Sequence, residues 1–387
     1  MAQEHVLTDV ENDTWLDSFE LPGAPEGCSL RKRTLRGGLG DGVDLVEVSN
    51  GRLAFSVLPT RGMGVWRGDW RGTFLGWKAP LCGPVHPRYV NLPDRGGLGW
   101  LQGFDELIVR CGLDSNGAPC TDTVPDNNGN PMQVQLPLHG RIANTPANRV
   151  TASADGDEIA VSGTVQESAL FTPNLRLQTR ISTKAGSNSF TLVDEVTNLR
   201  GVDSEMQMLY HVNLGAPLLG EGARVLLPSA AVAPRDPRAS EDLDTWRTYR
   251  GPTAGYVEQV YFHDLAAAAS GETLAALGSA DGASAAVLRF NRNELPCFAQ
   301  WKCTQAESDG YVTGLEPGTN YPNPKPFERS KGRVVKLAPG ESYRISLTLQ
   351  VLDSTEEVAG LQDEIAAIRG EDPEVHPEPN PEWSSRG

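Results

Sequence analysis

The sequence predicts an all-β protein, an antiparallel sandwich of strands with one helix near its C-terminal end. Three observations support this fold class. Forty-one glycines and 28 prolines make up about 18% of the 387 residues, against roughly 12% in average usage, which favours many turns between short strands. Apolar and polar residues alternate in many segments, which is the period of a half-buried strand. Only one stretch has the apolar period of a helix.

The N-terminal residues contain neither a basic region nor an apolar core of the kind found in secretory signals. We therefore expect a cytoplasmic protein with reduced thiols. No run approaches 18 consecutive apolar residues, so the sequence predicts no membrane-spanning helix and no membrane partner.

Five alternating rows of apolar residues predict strands, each bounded by Gly, Asn, Asp or Pro. The rows lie at residues 132–138, 159–165, 175–181, 190–196 and 343–351. The last row follows Ala338-Pro339-Gly340-Glu341, a turn signal that begins a strand sharply.

Residues 61–117 are rich in glycine and show no clear strand pattern. They contain Trp66, Trp70, Trp77 and Trp100. Aromatic rings beside flexible turns suit the faces of sugars, so these loops are predicted to form a wall of a binding site. The alternative is that the four rings fill the core.

The predicted helix covers residues 354–370. Ser354 and Glu357 form a capping pair, apolar residues follow with a helical period, and Gly370 ends the helix. Residues 371–387 contain four prolines, several acidic residues and few apolar ones, which predicts a mobile tail.

The chain carries 34 Lys and Arg against 50 Asp and Glu, a formal net charge of −16. Nucleic-acid binding needs a basic face, so a nucleic-acid partner is not expected. None of the six cysteines has the C-x-x-C spacing of a structural zinc site. No coiled-coil pattern indicates an oligomeric state, which stays open.

Few residues are candidates for catalysis. Three of the six histidines lie in terminal segments or in a proline-flanked loop. The others are His139 at the end of an alternating strand, His211 in a strand that runs into a turn, and His263. A histidine at a strand end can also be purely structural. Glu316 precedes Pro317, which fixes the backbone after the carboxylate, as placement of a general base requires.

These residues carry a resemblance to a known family. His139-Gly140, Tyr210-His211-Val212-Asn213-Leu214-Gly215, Leu315-Glu316-Pro317 and Leu337-Ala338-Pro339-Gly340-Glu341 occur in one order. In that order they resemble the aldose 1-epimerase (galactose mutarotase) superfamily. Residues 58–63, 95–100 and 316–323 resemble a bacterial branch of it without an assigned function. The likeness runs from about residue 46 to residue 351, so we place a single sugar-binding domain at residues 46–353, after an N-terminal segment at residues 1–45.

The resemblance implies an antiparallel supersandwich of the galactose mutarotase type, with an open cleft for a sugar. It also implies an isomerase that interconverts sugar anomers without a cofactor or a metal. Glu316 matches the base that takes the proton from the anomeric hydroxyl, and His211 matches the acid that protonates the ring oxygen. His139 matches a second histidine, which binds the substrate.

Two arginines raise the question of an anionic substrate. Arg95 and the compact His139-Gly140-Arg141 motif are similar to hexose-6-phosphate mutarotases, whose arginines bind the phosphate. Here, however, Ala143 stands where those enzymes have their arginine. Arg95 and Arg141 are therefore candidates to bind an anionic group by paired hydrogen bonds, or to stabilise turns by salt bridges.

Four further polar residues are weaker candidates for binding sugar hydroxyls: Asp105, Asn213, His263 and Lys302. For Asp105 the favoured alternative is a solvated acidic loop. Because side chains alternate along a strand, Trp301 is predicted to point away from Lys302.

Two other functions compete with the isomerase. One is a carbohydrate-binding protein that keeps the cleft without turnover. The other is a metal-dependent sugar isomerase or lyase in which His139, His211, His263 and Glu316 converge as ligands. The identity of the sugar, and whether it is phosphorylated or otherwise anionic, stay open.

Overall fold

The computed structural model describes residues 3–386, which form 26 strands, four α-helices and six short 3-10 helices. The strands are β1 Gln3–Asp9, β2 Thr14–Trp15, β3 Ser18–Glu20, β4 Ser29–Thr34, β5 Asp44–Ser49, β6 Leu53–Leu58, β7 Gly64–Trp70, β8 Thr73–Leu75, β9 Ile108–Leu113, β10 Cys120–Pro125, β11 Pro131–Leu136, β12 Arg149–Asp155, β13 Glu158–Ser168, β14 Asn174–Lys184, β15 Ser189–Asn198, β16 Ser204–Leu214, β17 Arg224–Leu226, β18 Ser229–Pro234, β19 Gln259–Leu265, β20 Glu272–Gly278, β21 Ala285–Asn291, β22 Cys297–Thr304, β23 Tyr311–Gly318, β24 Val335–Leu337, β25 Ser342–Leu352 and β26 Glu374–Val375. The α-helices are α1 Asp94–Gly97, α2 Pro237–Ser240, α3 Lys325–Ser330 and α4 Thr355–Arg369. The 3-10 helices are Gly38–Gly40, Pro87–Tyr89, Gly99–Gly103, Ile142–Asn144, Leu243–Thr245 and Glu307–Asp309.

Two large sheets contain most of the strands. The first has ten strands in the order β17-β20-β21-β25-β15-β14-β13-β12-β1-β2, all antiparallel. The second has fourteen, in the order β26-β18-β19-β22-β23-β16-β9-β7-β6-β5-β4-β3, with β24 paired to β16 and β8 paired to β7. A separate hairpin joins β10 and β11. The predicted all-β antiparallel fold class is confirmed.

The main hydrophobic core lies between the two sheets. Alternate residues of neighbouring strands share a face, so each central strand sends one row of side chains into this layer. Phe55 of the larger sheet stacks on Phe190 of the smaller one, with ring centroids 4.4 Å apart. Tyr210, Val212 and Leu315 of the larger sheet are buried in the same core.

A buried ion pair also joins the sheets. The Arg110 Nη2 of β9 donates to the Asp194 Oδ1 of β15 at 2.9 Å, and Tyr210 Oη donates to Asp194 Oδ2 at 2.7 Å. Arg110 Nη2 also donates to Thr179 Oγ1 at 2.8 Å, and its Nη1 donates to the Met63 carbonyl at 2.7 Å. The Arg110 and Asp194 side chains are 1% and 0% exposed, so the structure compensates both buried charges with hydrogen bonds.

Four of the five predicted rows lie wholly in strands, namely β13, β14, β15 and β25, whereas the first row lies in β11 only as far as Leu136. The stretch at residues 61–117, predicted as loops, instead contains β7, β8 and β9. All six residues of β9 are buried, so its sequence has no alternation to reveal it.

Helix α4 begins and ends as the sequence predicts. The backbone amide of Glu357 donates to Ser354 Oγ at 3.2 Å, and Gly370 follows the last turn. Val358, Leu361 and Ile365 pack on side chains of β20 and β21. The amphipathic face of the helix is thus covered by the smaller sheet.

Both terminal segments are part of the sandwich. In the segment at residues 1–45, β1 and β2 extend the smaller sheet, and β3 and β4 extend the larger one. The C-terminal residues 371–386, predicted as a mobile tail, are docked by β26, which pairs with β18. Within residues 3–386, none of the helices combines the length and the apolar composition needed to cross a membrane. The six cysteines carry free thiols.

Candidate active site

A cavity of about 340 Å³ lies against the outer face of the larger sheet. Its lining consists of Leu98, Trp100, Leu101, Phe104, Ala118, Pro119, Leu138, His139, His211, Arg235, Glu258, Val260, Trp301, Glu316, Pro322, Asn323, Pro324, Ser385 and Arg386. Val212 and Leu315 point into the core between the sheets, so His211 and Glu316, their neighbours on β16 and β23, face the cavity.

His211 and Glu316 meet at the bottom of this cavity. The His211 Nε2 lies 3.3 Å from Glu316 Oε1, and the two side chains are only 6% and 4% exposed. Gly314 makes this approach possible, since a Cβ at that position would lie 2.7 Å from Glu316 Oε1 and 2.9 Å from His211 Cε1. A larger residue at 314 would displace one member of the pair.

Burial shifts the pKa values of these two side chains in opposite directions. Burial, followed by the charge of the neighbouring Glu258 carboxylate, raises the pKa of Glu316 to about 8. Burial, followed by the nearby His139, lowers the pKa of His211 well below its usual range. Near neutral pH the pair therefore holds one proton, which resides on the carboxyl group while the imidazole is neutral.

His139 stands beside this pair. Its Nδ1 lies 2.9 Å from the Asn116 carbonyl and donates to it, so the neutral ring has its lone pair on Nε2. The ring centroid is 5.4 Å from that of His211 and 4.7 Å from that of Trp100. Burial lowers the pKa of His139 to about 4, so this histidine is a neutral hydrogen-bonding group at neutral pH.

Aromatic rings surround His211. The ring centroids of Phe104, Trp301 and Trp100 lie 5.1, 5.3 and 6.3 Å from that of His211. Trp301 Nε1 donates to Glu258 Oε2 at 2.7 Å, which leaves the face of the indole beside the cavity. An apolar wall with a few polar groups is the usual make-up of a small-molecule site.

The mouth of the cavity is polar. Glu258 Oε1 accepts from Arg235 Nη2 at 3.0 Å. Ser385 and Arg386 reach the mouth from the C-terminal segment, where the Ser385 amide and hydroxyl both donate to Asn323 Oδ1 at 3.1 Å. The cavity thus combines residues from both halves of the chain, including its C-terminal segment.

Asn213 and Asp105 are buried but lie outside the cavity lining. Asn213 Oδ1 is 2.6 Å from His211 Nδ1, so this side chain stands behind the histidine. Asp105 is 7% exposed and accepts from Trp66 Nε1 at 2.9 Å. Burial, then the Glu106 carboxylate, raises the pKa of Asp105 to about 7. Asp105 is therefore no part of a solvated loop.

The structure does not bring four other predicted residues to the cavity. His263 lies in the core beneath the sheet, with its Nδ1 3.0 Å from Ser229 Oγ. Lys302, also beneath the sheet, donates from Nζ to the carbonyls of residues 245 and 248 at 3.0 and 2.8 Å. Arg95 and Arg141 are exposed and lie outside the lining.

The positions of these side chains bear on the hypothesis of a metal-dependent sugar isomerase or lyase. Across residues 3–386, His, Cys, Asp and Glu side chains nowhere form a group of three or more able to hold a metal ion. Of the four ligands suggested by the sequence, His139, His211 and Glu316 line the cavity, whereas His263 faces the opposite side of the sheet.

Sequence reasoning missed several lining residues, among them Arg235, Glu258 and the pair at residues 385–386. No motif marks them, because they reach the cavity only through the order of strands and the docking of the C-terminal segment. Trp301 is different. Its predicted orientation, opposite to Lys302, does bring it to the cavity.

The comparisons with known proteins agree with the observed fold. A family model described as a domain of unknown function (DUF4432) matches residues 40–351. A crystal structure from Klebsiella pneumoniae, provisionally described as an aldose 1-epimerase, is 34% identical, covers 98% of this chain and 99% of its own, and has a TM-score of 0.91. Among curated protein sequences, none matches the chain significantly.

More distant structures share the fold. A galactose mutarotase-like protein from Clostridium acetobutylicum is 15% identical with a TM-score of 0.60, and covers 84% of this chain and 98% of its own. A galactose 1-epimerase from Lactobacillus acidophilus is 13% identical with a TM-score of 0.56, and has the same two coverages.

Proposed function

The chain belongs to the DUF4432 family, a branch of the aldose 1-epimerase (galactose mutarotase)-like superfamily, and we propose that it interconverts the anomers of a sugar by general acid–base catalysis. The observation that carries the proposal is the contact between His211 and Glu316 at the bottom of an aromatic-lined cavity. A site that only binds a sugar has no need of an acid–base pair.

Opening and closing of the sugar ring requires one mobile proton and two groups that can each hold it. Opening of a pyranose ring removes the proton from the anomeric hydroxyl and delivers one to the ring oxygen. In the proposed reaction the pair first moves its proton from Glu316 to His211, across the 3.3 Å contact. The Glu316 carboxylate then takes the hydroxyl proton while the His211 imidazolium protonates the ring oxygen. Rotation of the aldehyde and the reverse transfers close the ring as the other anomer.

The cavity wall supplies the binding contacts in this proposal. Trp100, Phe104 and Trp301 offer apolar surface to the C–H face of the sugar ring. His139 Nε2 and the Glu258 carboxylate are placed to accept hydrogen bonds from hydroxyl groups. Exclusion of water by the aromatic wall keeps the shared proton on the pair.

The proposal is tested by NMR saturation transfer between anomers, over a panel of neutral, acidic and phosphorylated sugars. The natural protein is expected to accelerate exchange of at least one sugar. Glu316→Gln and His211→Asn are each expected to lower this rate by about a hundredfold or more, because each removes one end of the proton transfer.

His5→Asn and Glu195→Gln serve as matched controls, since both residues lie on the smaller sheet away from the cavity. These variants are expected to keep the natural rate. If the panel sugars bind but none exchanges faster, the protein is a carbohydrate-binding protein and the proposal is wrong. Equal rates in the natural protein and in Glu316→Gln would contradict the assigned roles.

A further inference from the structure

We infer that Asn213 sets the tautomer of His211, and that the buried Arg61–Glu106 ion pair holds Asn213 in the orientation that does so. Asn213 is then a positioning residue, which acts on the reaction only through His211. The inference rests on the proposed role of His211 as a carrier of the proton.

The hydrogen bonds of the Asn213 amide determine its orientation. Its Nδ2 donates to the Glu106 carbonyl at 2.9 Å and to the His211 carbonyl at 3.0 Å. Carbonyl oxygens only accept, so the nitrogen of the amide must be on this side. The other end, Oδ1, therefore faces His211 Nδ1 at 2.6 Å and accepts a hydrogen bond from it.

The proton on Nδ1 decides what the other ring nitrogen can do. A neutral imidazole carries a hydrogen on one nitrogen only, so Nε2 of His211 has a lone pair. This lone pair faces Glu316 Oε1 at 3.3 Å. His211 is thereby ready to take the proton from the Glu316 carboxyl group. In the opposite tautomer two hydrogens would face each other across this contact, and the transfer would be blocked.

The carbonyl that orients Asn213 is itself held rigidly. The Glu106 carbonyl also accepts from Trp77 Nε1 at 3.2 Å. The Glu106 side chain accepts from Arg61 Nε at 2.6 Å, and the two side chains are 0% exposed. Arg61 Nη1 donates in turn to Asn144 Oδ1 at 2.9 Å. Groups so deeply buried have little freedom to move, so the carbonyl stays in place.

This network accounts for a sequence segment that the proposed reaction leaves unexplained. Residues 58–63 belong to the resemblance given above, yet they are absent from the cavity lining. Arg61 lies in this segment, and its guanidinium is linked through Glu106 and Asn213 to the ring of His211. The segment is thus linked to the site through hydrogen bonds, although it does not line the cavity.

The test is a long-range ¹H–¹⁵N NMR spectrum of protein labelled with ¹⁵N-histidine, in which the two neutral tautomers give different patterns. The signals of His211 are assigned by their loss in His211→Asn. The natural protein is expected to show the Nδ1–H tautomer at His211. Asn213→Leu, of similar size but without the acceptor, is expected to show Nε2–H or a mixture. Asn213→Asp keeps an acceptor at Nδ1 and is expected to keep the tautomer.

Anomer exchange gives the second readout. A catalytic histidine in the wrong tautomer can lose up to about 10⁴-fold in kcat, and we expect Asn213→Leu to lose at least about tenfold in kcat with little change in KM. Asn213→Asp is expected to recover part of this loss, which a merely structural role would not predict.

The outcomes separate this inference from the proposed function. An Nε2–H tautomer in the natural protein overturns the inference, and needs no variant to fold. An unchanged tautomer in Asn213→Leu also overturns it. If the tautomers are as expected but no sugar exchanges, the inference about Asn213 stands and the proposed function fails.

Discussion

At the scale of single residues, the candidate site depends on two groups whose pKa values shift in opposite directions on burial. Burial favours the neutral form of a carboxyl group, and it also favours the neutral form of an imidazole. Glu316 therefore holds its proton to about pH 8, and His211 stays neutral until well below its usual pKa. Between these limits the pair carries one proton.

This predicts the pH dependence of kcat/KM for anomer exchange, after subtraction of the rate without protein. As the pH rises through about 8, Glu316 loses the only proton of the pair, so the rate is expected to fall. As the pH falls, the rate is expected to stay constant until well below pH 6.5. There His211 becomes protonated while Glu316 is still neutral, so the pair holds two protons and no base remains.

A variant at Glu258 checks the cause of the alkaline limit. The Glu258 charge raises the pKa of Glu316, so Glu258→Gln is expected to move this limit to lower pH. A limit that moves to higher pH, or a rate that keeps rising past pH 9, would contradict the assignment of Glu316.

At the scale of elements, the C-terminal segment shows how a few contacts dock a polar chain. Its composition is that of a mobile tail, yet the Trp383 ring packs on Tyr321, with centroids 5.9 Å apart. The Trp383 carbonyl accepts from Asn323 Nδ2 at 2.8 Å, and the Asn323 Oδ1 accepts from Ser385. Since Asn323 also lines the cavity, the docked segment and the mouth of the cavity share one residue.

Trp383→Ala is expected to release this segment, because it removes the one large aromatic ring that anchors residues 376–386. The released chain would be cleaved faster by carboxypeptidase. The KM for the exchanged sugar would rise about three- to tenfold, since Ser385 and Arg386 would leave the mouth of the cavity.

Trp15→Ala is the matched control, because Trp15 is 65% exposed on β2 and far from the cavity. Trp15→Ala is expected to change neither the rate of cleavage by carboxypeptidase nor the KM for the exchanged sugar. Faster cleavage of Trp383→Ala with an unaltered KM would show that the segment is docked but has no part in sugar binding.

At the scale of the whole molecule, stability depends on the layer between the two sheets. Most of this layer is apolar, and the Arg110–Asp194 pair crosses it. Removal of one partner of a buried ion pair leaves the other charge without compensation, which costs about 3–5 kcal/mol.

Asp194→Asn is therefore expected to lower the free energy of unfolding by about 3–5 kcal/mol, measured by urea denaturation. Glu195→Gln changes the next residue, whose side chain lies on the opposite face of β15, and is expected to stay within about 0.5 kcal/mol of the natural protein. A loss below about 1 kcal/mol in Asp194→Asn would mean that the pair is not what joins the sheets.

Features that depend on neighbours along the chain could be predicted from the amino-acid sequence. The alternating rows predict β13, β14, β15 and β25 because side chains on a strand alternate between its faces. Ser354 and Gly370 mark the ends of α4 because capping uses groups within a few residues of each other. The order of motifs was enough to select His139, His211 and Glu316, which the structure brings to one cavity.

By contrast, the distant residues that share a face of the larger sheet could be identified only from the three-dimensional fold. Strands β9, β16, β23, β22 and β19 lie side by side in that sheet, although 90 residues of chain separate β9 from β16 and 96 separate β16 from β23. Their register sends Glu316 and Trp301 into the cavity, and Lys302 into the core. Glu258 and Arg386 reach the same cavity by strand order and by docking of the C-terminal segment. Local patterns specify the period of a strand and the ends of a helix, but convergence of side chains depends on pairing between strands far apart in the chain, which no local pattern records.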